Sequence, residues 1–216
     1  IMAIRRFTAN ADTTITNAFL EDLTTRATGS NMGLADSLEV FSVYGQASGS
    51  TNGYSSELSR VLLKFPVTTT DDNTNSIQAK RTAGAIPASG SVSFYLRVFN
   101  VAHHETLPVN AKYNIFAVSS SWEEGRGLDL DTYTDKTHDN VGANWIVKAS
   151  GSQWELVGGD YLSASHFDAV KYSQTLENGN EDIEVDISGL VEDWIDGTYG
   201  NYGVGIFLSS SFEAYF

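Results

Sequence analysis

The residues in this chain that could do chemistry are acids, histidines and tryptophans, and each set sits at a spacing that limits its use. Asp129, Asp131, Asp135 and Asp139, with Asn140 and Asn144, fall in one polar stretch from Glu124 to Asn144. Carboxylate and amide oxygens of this kind suit Ca²⁺, although their spacing is not that of a helix-loop-helix site. Calcium is therefore the one metal this stretch is expected to suit. His103 and His104 are adjacent and followed by Glu105, so on an extended chain their rings point apart, and no second histidine stands four residues away. His138 and His166 are isolated. Glu123 and Glu124 follow Trp122, but glycoside hydrolysis needs two carboxyl groups on opposite sides of one bond, which neighbours on a strand do not supply.

The four tryptophans divide in two. Trp122 and Trp194 fall at positions expected in the core, whereas Trp145 and Trp154 lie in or beside a long insertion, with Tyr133, Tyr161 and Tyr199 as companions. Aromatics displayed in such a segment can stack on sugar rings, so Trp145, Trp154, Tyr133 and Tyr161 are the expected glycan-binding set, against the commoner use of such side chains in packing. No Ser-His-Asp order, phosphate-cradling glycine loop or zinc-protease motif is present, and Gly200 to Gly205 enters a strand rather than a helix. The sequence offers no complete catalytic set, and the expectation is a protein that is not an enzyme.

Composition narrows the partners. Across 216 residues, 13 Lys+Arg stand against 27 Asp+Glu, giving a formal charge of -14, so phosphate backbones and anionic lipid should be repelled. Arg5-Arg6 and Lys80-Arg81 are the only short basic clusters, and no basic stripe alternates with aromatics as nucleic-acid binding would need. The absence of cysteine excludes disulfides and thiolate sites. Apolar runs such as Val61 to Val67 are strand-sized, far below the ~20 residues of a membrane helix. The opening residues lack the apolar core of a secretory signal, and Met2 reads as the initiator. The aromatic finish from Ser209 to Phe216 reads as a new strand, as though the polypeptide continues.

These side chains must be carried by strands. Val61, Leu63 and Phe65 alternate with Arg60, Leu62 and Lys64. Val92, Phe94, Leu96 and Val98 share one face while Ser93, Tyr95, Arg97 and Phe99 share the other, as on a strand with a lightly covered outer side. Ile183, Val185 and Ile187 repeat the pattern, and Leu38 to Tyr44, Tyr113 to Val118 and Gly203 to Leu208 are further strands. Ala47 to Ser56, Thr68 to Ser76, Glu124 to Asn144 and Gln174 to Asp182 read as turns or loops. One helix is expected from Ser188 to Asp196, with Ser188 as its N-cap, Leu190, Val191, Trp194 and Ile195 on one face, and Gly197 as a left-handed C-terminal cap. Strands with polar connections and one short helix near the C-terminal part predict an all-β, jelly-roll-like β-sandwich, in one domain over 1–216 with a long insertion at about 125–182.

The order of segments also carries a resemblance. An early Asp12, an Asn31-Met32-Gly33 turn, a strand ending Lys64-Phe65, Ser121-Trp122-Glu123-Glu124, the segment Asp186-Ile187-Ser188-Gly189-Leu190-Val191-Glu192-Asp193-Trp194 and then Asn201-Tyr202-Gly203 together resemble the DNRLRE family, β-sandwich domains related to carbohydrate-binding modules. The stretch from Gly125 to Asp182 is longer than the family's usual connection, so nothing is carried over to it. Asp12 to Asn17 and Gly29 to Gly33 also resemble virion structural proteins of tailed phages that infect marine cyanobacteria. These likenesses imply a structural protein on the outside of a virion, on capsid, neck or tail, whose partners are its own copies, other virion proteins and a host-surface glycan. The alternative is a carbohydrate-binding module of a secreted or cell-surface bacterial protein.

Overall fold

A computed structural model describes residues 4–45, 55–102, 107, 109–130, 141–162 and 171–213. The described residues form an antiparallel all-β sandwich built around one large sheet. Its strands are β1 (Ala11–Thr16), β2 (Ser42–Gly45), β3 (Ser55–Lys64), β5 (Ala111–Ala117), β8 (Lys171–Leu176) and β10 (Val204–Leu208), in the order β1-β3-β10-β5-β8. β3 is long enough to serve two neighbours on one side. Leu58 faces β1, accepting from the Asn17 N–H, while Ser59 faces the other way and donates to Phe41, so β2 pairs with the first part of β3 on the side that β10 occupies further along. β4 (Tyr95–Val98) and β9 (Ile183–Asp186) form a second, two-stranded sheet, and β6 (Val147–Ala149) and β7 (Ser152–Gln153) form a hairpin.

Side-chain alternation sends the large sheet's residues into two separate apolar clusters. Val61, Leu63, Ile115, Val204 and Ile206 face β4, β9 and the helix α2 (Ser188–Asp196), where Leu96, Ile183, Leu190, Val191 and Trp194 meet them. Their neighbours Leu62 and Ile15 face the opposite way, onto Val118, Ala143, Trp145 and Trp154. The large sheet is therefore buried on both faces, a three-layer arrangement that the alternation of Arg60, Leu62 and Lys64 with apolar partners does not announce.

Several expectations change here. Within the insertion at about 125–182, β6 and β7 cover the outer face, and β8, which takes in the first residues of the loop expected from Gln174 to Asp182, adds an edge strand to the large sheet. In the segment expected to form a strand from Ser209, Ser210–Glu213 instead forms the short helix α3. A further helix, α1 (Ile77–Thr82), follows the Thr68 to Ser76 turn, with the Ser76 hydroxyl accepting from the Ala79 N–H at 3.2 Å and Arg81 clamping Glu192 of α2 at 2.6 and 2.7 Å. α2 has the expected limits and its Gly197 cap, at φ 83°. Its first residue, however, is not a cap. Ile187 occupies that position, and the Ser188 hydroxyl accepts from the Phe94 N–H at 2.7 Å while donating to Asp186, tying the helix to β4.

Candidate functional site

Three of the four aromatics expected to bind glycan, Trp145, Trp154 and Tyr161, form part of the layer that covers the large sheet. Trp145 and Trp154 retain 7% and 5% of their surface, so neither indole offers a face to a sugar, which corrects the expectation that they are displayed. Trp154 Nε1 donates to the Asn144 carbonyl at 2.8 Å and Trp122 Nε1 to the Tyr202 carbonyl at 2.8 Å, which satisfies both buried donors internally. Tyr161 lies over Gly205, where a side chain would collide with the ring at 2.3 Å from its Cβ. Burial pushes the Tyr161 phenol up to about 12, against the lowering effect of nearby Arg60, so it stays neutral. Tyr133 lies outside the described residues.

Arg60 is the centre of this layer. Projecting from β3, its guanidinium donates to both oxygens of Glu213 at 2.9 and 2.8 Å and to the Gly158 carbonyl at 2.9 Å. The rings of Phe207 and Trp145 lie 4.9 and 5.2 Å from it. Burial alone would lower its affinity for a proton, but the Glu213 carboxylate overrides that and holds it charged. Each of its three nitrogens donates one bond, so the group fixes α3 and the 158 turn to the sheet.

The polar stretch after Glu124 is organised by Asn31. Its amide nitrogen donates to the Glu124 and Ala143 carbonyls at 2.7 and 2.8 Å, and its oxygen accepts from the Gly33 and Gly127 N–H groups at 3.1 and 2.9 Å. A buried amide with four partners is fully satisfied. Gly33 must be glycine because a Cβ there would stand 2.2 Å from the Glu124 carbonyl oxygen. The same device recurs at Asn201-Tyr202-Gly203, where Asn201 accepts from Gly203 and donates to the Phe65 carbonyl and to Asp71, at 2.8 Å each for the two donated bonds.

Of the calcium set, Asp129 is exposed and accepts from the next residue's own N–H, while Asp131, Asp135, Asp139 and Asn140 lie outside the described residues. Asn144 is buried, and its oxygen caps the Ile146 and Val147 N–H groups at 2.9 Å each. Among the described residues no three acids or histidines come together as a metal cluster. His103, His104, Glu105, His138 and His166 are likewise outside them. Glu123 and Glu124 do diverge: Glu123 accepts from the Ser150 N–H, whereas Glu124 reaches the Asp12 N–H at 2.9 Å, and burial beside the Asp12 carboxyl raises its proton affinity.

One buried acid gives a pH signature. Burial would raise Asp71, but hydrogen bonds from Thr68 and Asn201 and the Lys64 ammonium at 2.9 Å outweigh it, leaving its affinity for a proton below the ordinary 3.8. A depressed acid stabilises the fold above its unfolded value and ceases to do so as pH falls through the folded one. Stability should therefore drop on acidification below about 3.8, and the Asp71→Asn protein should lose less over that range in pH-dependent urea melts. An equal loss in both proteins would show that Asp71 is not a source of it.

Exposed apolar side chains occur in both covering layers, and on the β4 face they flank the Arg97–Glu184 ion pair. Tyr95 and Phe99, together with Arg97, form the outer face of β4 that sequence alternation predicts, and Tyr95, Phe99 and Val101 are 56%, 63% and 66% exposed. Across the molecule, Leu156 and Val157 of the covering layer are 73% and 63% exposed. Two open clefts also occur, of about 580 Å³ beside Arg5, Asp72 and Lys80 and about 390 Å³ beside Thr69, Trp194 and Tyr199. No helix among the described residues is long and apolar enough to cross a membrane. No protein-family model matches this chain, and no curated protein sequence matches it either.

Proposed function

We propose that this chain is a non-enzymatic structural protein of a tailed-phage virion, carried on the exterior of capsid, neck or tail, and that it works by contact with its own copies and with other virion proteins. Attachment to a host surface is a secondary part of this reading. The observation that carries it is the outer face of β4, where Tyr95 and Phe99 stand more than half exposed on a strand whose other face is locked into the core by Leu96. Exposed aromatics gathered on one strand face supply a surface that contact with another molecule can use. The resemblance of the opening residues, Asp12 to Asn17 and Gly29 to Gly33, supplies the context. The Asn31 and Arg60 hubs spend buried polar groups on rigidity, which suits a load-carrying domain.

Mass spectrometry of gradient-purified particles of the phage that carries this gene tests the reading. Recovery of the chain in many copies per particle, with antibody labelling on the outside of intact particles, is expected; its absence from particles overturns the proposal. The carbohydrate-binding alternative is weakened by the burial of Trp145 and Trp154. Polysaccharide binding that Trp145→Ala abolishes in a folded protein would favour it instead.

A further inference from the structure

We propose that the open cleft lined by the 5–10 and 66–80 segments binds the acid groups of an anionic polysaccharide, with Arg5, Arg6 and Lys80 as the cations that hold them. The inference gives a chemistry to the host-surface part of the reading above. The two short basic clusters, Arg5-Arg6 and Lys80-Arg81, are remote in the chain, yet Arg5, Arg6 and Lys80 line one cleft of about 580 Å³. Local packing brings them there. Phe7 and Ala9 pack against the main core and the Asn10 N–H donates to the Lys64 carbonyl at 2.9 Å, which fixes the segment that carries the arginines. α1, capped by Ser76 and tied to α2 through Arg81, contributes Lys80.

These cations are not spent inside the fold. Arg5 and Arg6 are exposed and form no ion pair among the described residues, and the Lys80 ammonium donates to the neutral Asn75 amide oxygen at 2.9 Å. Two carboxylates share the lining. Asp71 is paired with Lys64 at 2.9 Å, and Asp72 accepts from the Thr74 and Asn75 N–H groups at 2.8 and 2.7 Å through one oxygen. Cations therefore outnumber acids in this cleft, although the chain as a whole carries a formal charge of -14. At about 0.15 M salt the Debye length is ~8 Å, so the cleft's own charges outweigh the distant acids. Guanidinium forks match the paired oxygens of an oxyanion. Thr8, Asn10 and Asn75 add hydroxyl and amide groups that suit the hydroxyls between acid groups on a sugar chain. Three cations with no basic stripe beyond them favour spaced acid groups over a continuous phosphate backbone.

Calorimetric titration of the full chain with alginate, dextran sulfate and neutral dextran at about 0.15 M salt tests the site. Binding to alginate assigns a carboxylate and binding to dextran sulfate a sulfate; either supports the proposal, and neutral dextran should not bind. Arg5→Gln/Arg6→Gln should weaken binding about tenfold, as two exposed charge contacts are lost. Asp72→Asn should tighten it, because the amide oxygen still accepts from Thr74 and Asn75 while a repelling charge is gone. Unchanged circular dichroism in both variants verifies the fold. No binding to either acidic polymer, equal binding to neutral dextran, or wild-type affinity in the arginine variant would overturn the site. Tighter binding to single-stranded DNA than to both acidic polymers would overturn the polysaccharide assignment in favour of a phosphate backbone. The virion reading stands apart from all of these results, because particle content decides it.

Discussion

Arg60→Ala should destabilise the protein by about 3–5 kcal/mol, the range for removing one partner of a buried ion pair. The side chains of Arg60 and Glu213 are only 17% and 15% exposed, so the substitution strands a carboxylate where water reaches it poorly. It also removes one of the two bonds to the Gly158 carbonyl, leaving that from the Tyr161 hydroxyl, and takes away the cation beside the rings of Trp145 and Phe207. The pair is costly to desolvate in the first place, so removing both charges should hurt less than removing one. Arg60→Met with Glu213→Leu should melt well above Arg60→Ala in chemical denaturation. If Arg60→Ala lost less than about 1 kcal/mol, the value of an exposed pair, the covering layer would not be closed over β3.

Trp194→Ala should cost about 3–5 kcal/mol, as for other buried aromatics. Trp194 is 2% exposed and is the anchor by which α2 packs, with Leu190 and Val191, against the large sheet. Its indole nitrogen is buried without a hydrogen-bond partner. An unpaired buried donor is itself a cost, so Trp194→Phe gives up volume but removes the orphan and should retain most of the stability. A calorimetric scan in which the phenylalanine protein melts as early as the alanine protein would show that ring volume, rather than the stranded N–H, decides the outcome.

The strands that face solvent on one side were the legible ones. The alternation of Leu96 with Tyr95 and Arg97 reports a half-covered strand, and β4 is one; α2 was equally plain, since Leu190, Val191 and Trp194 recur at helical spacing before a left-handed Gly197. β8 escaped because Lys-Tyr-Ser-Gln-Thr-Leu carries little apolar signal on an edge where Leu176 is buried and Tyr172 half-buried. The covering layer escaped for a different reason. Local pattern cannot distinguish an indole buried under a distant turn from one facing water, and Trp145 is buried in a cluster with Ile15, Leu62 and Val118, remote in sequence. Arg60 looked like an outward charge because its period is that of the solvent face, and only the 158 turn and α3 make that face an interior. The Asn31-Met32-Gly33 motif was visible as a turn, but its role as the clamp on Gly127 and Ala143 depends on bonds spanning about a hundred positions of chain.

Acrylamide quenching of the native tryptophan fluorescence tests most directly whether both faces of the large sheet are closed. With Trp145, Trp154 and Trp194 at 7%, 5% and 2% exposure and Trp122 partly buried, emission should be blue-shifted and only weakly quenched until the protein is unfolded. A native spectrum with a red-shifted component that acrylamide extinguishes as it does free tryptophan would contradict the covering layer, and would return Trp145 and Trp154 to the surface where a glycan could reach them.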